Sequence, residues 1–191
     1  MRIIAGTARN RRIETPKGKN TRPTLDRVRE NLFNILQTRI PDSAVLDLFS
    51  GSGALSFEAI SRGAARAVLC DTDRDANRAE RKNAEMLGFS DQTEIYCCDW
   101  KTVVRYMVDR GEQFDLVFLD PPYCMTDLRE LSDQLLPLLP DNGLIILEHE
   151  AKKAVLFGDG FEKTDERKWG FCGISFFMKK GKPYEQEAEN E

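Results

Sequence analysis

Short, unbroken apolar runs that alternate with helical patterns constrain this chain most. The runs are Ala44 to Phe49, Arg66 to Cys70, Thr93 to Cys97, Phe114 to Leu119 and Gly143 to Leu147. Helical periods begin near Thr24, Gly53, Asp73 and Trp100. A strand that is apolar along its whole length is buried on both faces, and helices between such strands supply the right-handed crossovers of a parallel sheet. The fold class expected is therefore α/β, a doubly wound, mostly parallel sheet. After Phe161 the pattern becomes strand and strand, Lys163 to Trp169 and Phe171 to Met178 joined at Gly170, which predicts an antiparallel hairpin on the sheet edge.

The ends of the chain read differently. Two short alternating segments, Arg2 to Ala8 and Arg11 to Thr15, predict a β-hairpin extension followed by a Pro16/Gly18 loop. Through Arg22 the basic residues Arg2, Arg9, Arg11, Arg12, Lys17, Lys19 and Arg22 face Glu14 alone, a net +6 on a chain whose total is −4. A basic arm on an acidic body suits an anionic partner, and Arg9, Arg11, Arg12, Lys17 and Arg22 are the candidate RNA contacts. From Thr24, a good N-cap, residues Leu25, Val28, Leu32, Phe33, Ile35 and Leu36 share one helical face, and Pro41 closes that element. The domain boundaries expected are a basic hairpin arm over 1–23, a catalytic domain over 24–182 and an acidic tail over 183–191 without structure of its own. No apolar run of roughly eighteen residues exists, so a cytoplasmic protein without a membrane anchor is expected. Five cysteines without a C-x-x-C pair suggest reduced residues, with neither disulfides nor a metal site.

The chemistry sits at the ends of the predicted strands. Asp47-Leu48-Phe49-Ser50-Gly51-Ser52-Gly53-Ala54 is a glycine turn between a strand and its helix, where missing side chains let the backbone approach a ligand. It falls short of the dinucleotide fingerprint, because Ser56 stands where the third glycine would be. Asp47, Phe49, Gly51 and Gly53 are the candidate contacts to an adenosyl cofactor. Twenty residues beyond Gly51, Asp71 ends the second strand, where a carboxylate accepts ribose hydroxyls; Asp73 competes for that role but suits a helix cap. At the third strand end, Asp99 can accept an adenine amino group and Trp100 can pack on the base.

The decisive segment is Asp120-Pro121-Pro122-Tyr123, which a buried strand enters directly. Prolines fix their φ angles and lack N–H groups, so the loop is stiff and its carbonyls are available as acceptors. An exocyclic amine bonded to Asp120 and the Pro121 carbonyl would present its lone pair to an electrophile while Tyr123 stacks on the base. His149 has no second histidine at metal-binding spacing and reads as a loop residue. Trp169, Phe171, Phe176 and Phe177 read as packing of the edge hairpin.

Asp47 to Ala54 resembles the first methyltransferase motif, and Asp120 to Tyr123 resembles the D-P-P-Y motif of amino-group methyltransferases. Together with Met1 to Gly6 and Arg22-Pro23-Thr24-Leu25-Asp26-Arg27-Val28-Arg29-Glu30, they make the chain similar to the bacterial 16S ribosomal RNA guanine-N2 methyltransferase (RsmD) family over nearly all of residues 1 to 180. The resemblance implies a seven-stranded, Rossmann-like class I methyltransferase fold. It also implies S-adenosylmethionine as cofactor and one guanine of small-subunit RNA as target, met by a monomer inside a ribosomal particle. Asp120, Pro121 and Tyr123 are then the catalytic set. Three other readings compete. A nucleotide-binding oxidoreductase would leave Asp120 to Tyr123 unexplained, an adenine-N6 methyltransferase would use the same loop, and a non-catalytic RNA-binding module would have no use for it.

Overall fold

The computed structural model of the protein describes residues 1–16 and 23–181, with residues 23–25 described by their backbone alone. Lys17, Arg22, the Thr24 capping side chain and the 183–191 tail lie outside the described residues. Seven strands form one sheet: β1 (Ala44–Asp47), β2 (Arg66–Asp71), β3 (Thr93–Cys97), β4 (Leu116–Leu119), β5 (Leu144–Glu150), β6 (Phe161–Trp169) and β7 (Cys172–Lys179). Their order is β3-β2-β1-β4-β5-β7-β6. Strands β1 to β5 run parallel, and β7 lies antiparallel between β5 and β6.

The order follows from burial. β4 is apolar and buried throughout and β1 is buried beyond Ala44, so each suits a strand on both sides; the exposed charges of β6, from Glu162 to Lys168, suit an edge that must not recruit another strand. Helices α1 (Pro23–Ile35), α2 (Ala54–Ser61), α3 (Arg74–Leu87), α4 (Trp100–Asp109) and α5 (Arg129–Leu135) cover the two faces. One core layer joins Val28, Leu32, Phe33 and Phe57 to Leu116 and Phe118; the other joins Trp100, Val104 and Met107 to Val117, Leu119 and Leu147. Among the described residues no helix is long and apolar enough to cross a membrane.

Three expectations need correction. Helix α1 ends at Ile35, well before Pro41, and Ile35 is exposed. Helix α5, between β4 and β5, has no counterpart among the expected elements; its short pattern is followed at once by the Leu136–Leu138 turn that carries Pro137. The N-terminal segment pairs antiparallel only at the Arg2–Arg12 bridge, short of the two strands expected of a β-hairpin. Its amides have another partner. The buried Glu58 carboxylate of α2 accepts the N–H groups of Ile4 (2.7 Å) and Ala5 (3.0 Å), while Ile3, Ala8 and Ile13 enter the core. Gly6 fits only because it has no side chain: with φ of 84°, a Cβ there would come 1.7 Å from the Ser61 carbonyl oxygen.

Candidate active site

In the sheet order, β1 pairs with β2 on one side and β4 on the other. Crossovers leave in opposite directions from these two strands, so a crevice opens above their carboxyl ends. The loop after β1 is the glycine turn and the loop after β4 is Asp120 to Tyr123. Topology thus brings together two motifs separated by about seventy residues of sequence. A cleft of about 610 Å³ lies between them, lined among others by Asp47, Phe49, Gly51, Asp71, Asp120, Pro121, Tyr123 and Glu148.

The glycine turn is held from below and from the side. Gly51 and Gly53 have φ of 57° and 74°, and a Cβ on Gly53 would come 2.4 Å from the Phe57 ring. The Gly51 amide donates to Asp71 Oδ2 at 2.9 Å. Ser50 Oγ donates to Glu80 of α3, and Asn83 Nδ2 of the same helix donates to the Ser52 carbonyl at 3.1 Å. Asp71 also accepts the Asp73 amide through Oδ1 at 2.9 Å. A carboxylate has about four acceptor sites, so both oxygens retain capacity toward the cleft. Asp73 caps α3, accepting the Asp75 amide at 2.8 Å, which separates the two aspartates as their sequence positions suggested.

Two acids beneath the turn are held near neutrality. Asp47 is buried, accepts Ser56 Oγ at 2.9 Å on one oxygen, and has no hydrogen-bond partner for Oδ1 among the described residues. Burial pushes its pKa up to about 7, the Ser56 bond opposes the rise and the neighbouring Asp71 charge adds to it. Burial likewise raises Glu80 to about 8, with Ser50 opposing and Asp47 and Asp71 adding to the rise. Arg29 of α1 also lines the cleft; it is buried, and burial lowers its pKa from the ordinary arginine value. Its Nη2 donates to Asp26 at 3.2 Å and to the Arg2 carbonyl, while Nε has no hydrogen-bond partner among the described residues.

At the other end of the cleft Asp120 is exposed, Pro121 buried, and the Tyr123 ring 44% exposed. The Tyr123 hydroxyl donates to Glu148 Oε1 at 3.2 Å. Burial is the largest cause of a raised Tyr123 pKa, with the Glu148 and Asp120 charges adding. Burial also pushes Glu148 up, while hydrogen bonds from Cys172 and Tyr123 pull it down.

Asp99 and Trp100 stand apart from the other cofactor candidates. Asp99 caps α4 by accepting the Lys101 amide at 2.8 Å, and Trp100 is 7% exposed inside the second core layer. Neither lines the cleft as it stands. Of the arm cations, Arg9 and Arg12 are exposed, whereas Arg11 is bonded to the Met86 and Leu87 carbonyls at the end of α3.

Comparison with known proteins decides which family the crevice belongs to. Residues 1–178 match the family model described as Conserved hypothetical protein 95. Ribosomal RNA small subunit methyltransferase D of Escherichia coli K12 is 37% identical over 161 residues, 81% of this chain and 77% of its own length. The chain belongs to the RsmD family of S-adenosylmethionine-dependent methyltransferases. The Haemophilus influenzae protein of the same name is 34% identical, covering 93% of each chain. Among solved structures, hypothetical protein TTHA0928 of Thermus thermophilus superposes with a TM-score of 0.78 at 29% identity, over 92% of this chain and 98% of that one.

In this RsmD-family chain the sequence reading missed Glu80, Asn83, Arg29 and Glu148. The first two had a signal, since they fall in the buried stripe Ala76, Ala79, Glu80, Asn83, Ala84 and Leu87 of α3, where a polar residue needs a partner. His149 also departs from the loop expected. It is a buried residue of β5, with Nε2 2.9 Å from Ser175 Oγ, because β7 covers the end of β5. Phe171, expected in the hairpin packing, is 76% exposed beside the hairpin turn.

Proposed function

We propose that this RsmD-family chain transfers a methyl group from S-adenosylmethionine to the exocyclic N2 of a guanine in small-subunit ribosomal RNA. The observation that carries the proposal is the convergence of the glycine turn and the Asp120-Pro121-Pro122-Tyr123 loop on one cleft. The names of the relatives supply the small-subunit RNA.

The cleft residues fit the cofactor's zwitterionic end, since an ammonium beside Asp47 favours its ionised form, Arg29 is cationic, and each keeps one buried polar atom without a protein partner among the described residues. Asp71 offers acceptor sites to ribose hydroxyls, and the turn at Gly51 and Gly53 admits the nucleoside to the backbone. The cofactor supplies a methyl on a positively charged sulfur, and it leaves as a neutral thioether.

The residues of the second loop act on the acceptor. A guanine amine is weakly nucleophilic because its lone pair is delocalised into the ring. Hydrogen bonds from that amine to Asp120 and the Pro121 carbonyl favour a pyramidal nitrogen and stabilise the positive charge that grows as its bond to carbon forms. The carbon–sulfur bond breaks in the same displacement, and the surplus proton leaves the nitrogen afterwards. Tyr123, with its hydroxyl anchored on Glu148, presents a ring on which a base drawn out of its stack can rest. Arg9 and Arg12 of the arm are exposed, which supports their assignment as phosphate contacts.

Incubation with methyl-labelled S-adenosylmethionine and undermethylated small-subunit particles, with protein-free 16S RNA and DNA in parallel, tests this. Label in N2-methylguanosine at one mapped position is expected. Label in N6-methyladenosine, or only in DNA, would assign the loop to an adenine-N6 enzyme instead.

A further inference from the structure

We propose that Glu148 selects guanine as the acceptor base by accepting its N1–H while Asp120 and the Pro121 carbonyl hold the neighbouring amino group, an inference that rests on the guanine-N2 reading above. The placement comes from the sheet. In the β4–β5 register Phe118 pairs with Ile146 and Leu119 with Leu147, so Asp120 and Glu148 are the next residues of two adjacent strands. Side chains alternate along a strand, and each acid lies two residues beyond a member of the Phe118–Ile146 pair. Both acids therefore leave the sheet on one face, and both line the cleft.

The Glu148 carboxylate is held in place. Tyr123 donates to Oε1 at 3.2 Å, so the carboxylate and the aromatic ring proposed to carry the base form one unit. The carboxylate lines the cleft with acceptor sites to spare. An ionised carboxylate can only accept hydrogen bonds. Guanine presents two adjacent donors, N1–H and the N2 amine, to such a wall. Adenine and cytosine each present an acceptor nitrogen beside their amine, which would meet the carboxylate lone pairs and repel them. A buried acceptor thus rejects the wrong amine by leaving polar groups unpaired, without excluding it by shape.

The test uses 2-aminopurine, which keeps the amino group on C2 but has a bare acceptor at N1. Small-subunit particles are reconstituted with guanine or 2-aminopurine at the mapped acceptor position, and methyl transfer is measured as kcat/KM for the parent and for Glu148→Gln. The parent is expected to prefer guanine by on the order of ten- to a hundred-fold, the range of one hydrogen bond to a charged group. Glu148→Gln can turn its amide N–H toward N1, so it should lose activity on guanine and narrow or invert that preference while binding S-adenosylmethionine with parental affinity. Equal activity of the parent on both bases would overturn the proposal whatever the variant does. An unchanged preference in a cofactor-binding Glu148→Gln would do the same, even if its rate falls. In either case N2-methylguanosine formed by the parent leaves the guanine-N2 reading standing, whereas a parent that labels only adenine removes both.

Discussion

Asp71 Oδ2 accepts the Gly51 amide at 2.9 Å, so the last residue of β2 holds the glycine turn that follows β1. Asp71→Ala should therefore remove a ribose acceptor and loosen the turn at once, weakening S-adenosylmethionine on the order of ten- to a hundred-fold. Asp73→Ala removes a helix cap and should cost about 0.5–2 kcal/mol of stability with little change in affinity. Calorimetric titration of both variants separates the roles, and equal losses of affinity would deny Asp71 its special place.

The two acids beneath the turn predict a pH dependence. Asp47 and Glu80 have folded-state pKa values of about 7 and about 8, above their ordinary carboxyl values. Well below pH 4 each is neutral in both folded and unfolded chains and nothing is lost. As pH rises toward 8 the unfolded chain ionises freely and the folded one does not, so these groups withdraw stability, on the order of a few kcal/mol. A bound cation beside Asp47 reverses the trend by favouring ionisation, so cofactor binding should release protons and tighten between pH 6 and 8. Thermal melts without cofactor should fall over that range, and Asp47→Asn should flatten the fall. Binding heats that do not vary with the ionisation enthalpy of the buffer would contradict the proton release.

The extent to which these features were legible differs by their physical origin. The central parallel strands were readable because burial on both faces leaves short apolar runs such as Leu116 to Leu119, all of it buried; the bounds of the edge strand, Thr93 to Cys97, were also read correctly. Strand order was not readable from periodicity, which carries no record of which apolar strand pairs with which. The loop proposed to hold the acceptor was legible as a motif because Asp120 to Tyr123 is local in sequence. Glu148 was not, since its meaning depends on lying level with Asp120 across a strand boundary. An acid and a ring at the third strand end suggested a base-binding pair; in the fold Asp99 caps α4 and Trp100 packs in the second core layer, a local use that the sequence did not distinguish from the other.

The fully buried Glu58 ties the N-terminal segment to α2, accepting Ile4 N, Ala5 N and Arg62 Nε, the last at 2.7 Å. Removing the carboxylate leaves two buried amides and a guanidinium without their acceptor. Glu58→Ala should cost roughly 3–5 kcal/mol in denaturant unfolding. It should also release residues 1–16 to limited proteolysis before the sheet opens. Retained protection would mean that Ile3, Ala8 and Ile13 alone fix the segment.

Asp120→Ala is expected to bind cofactor almost as the parent does and to lose most of its turnover. Its proposed partner is the acceptor amine, whose charge develops only as the new bond forms, and an interaction made in the transition state appears in kcat. Single-turnover transfer at saturating RNA measures this directly. A parental rate would take Asp120 out of the chemistry.

The arm cations divide into two kinds. Arg11 spends its guanidinium on the Met86 and Leu87 carbonyls, where a cation at a helix C-terminus contributes about 0.3–1 kcal/mol, so Arg11→Ala should act chiefly on stability. Arg9 and Arg12 are exposed and are the proposed phosphate contacts of the described arm. Each phosphate left without its cation lowers the slope of log affinity against log salt by roughly 0.7 to 0.9, so the Arg9→Ala, Arg12→Ala double variant should flatten it by about 1.4 to 1.8. Cofactor affinity should not change. RNA-binding isotherms at several salt concentrations decide the matter: a double variant with the parental slope would mean that the arm is a solvated surface and that phosphates are met elsewhere.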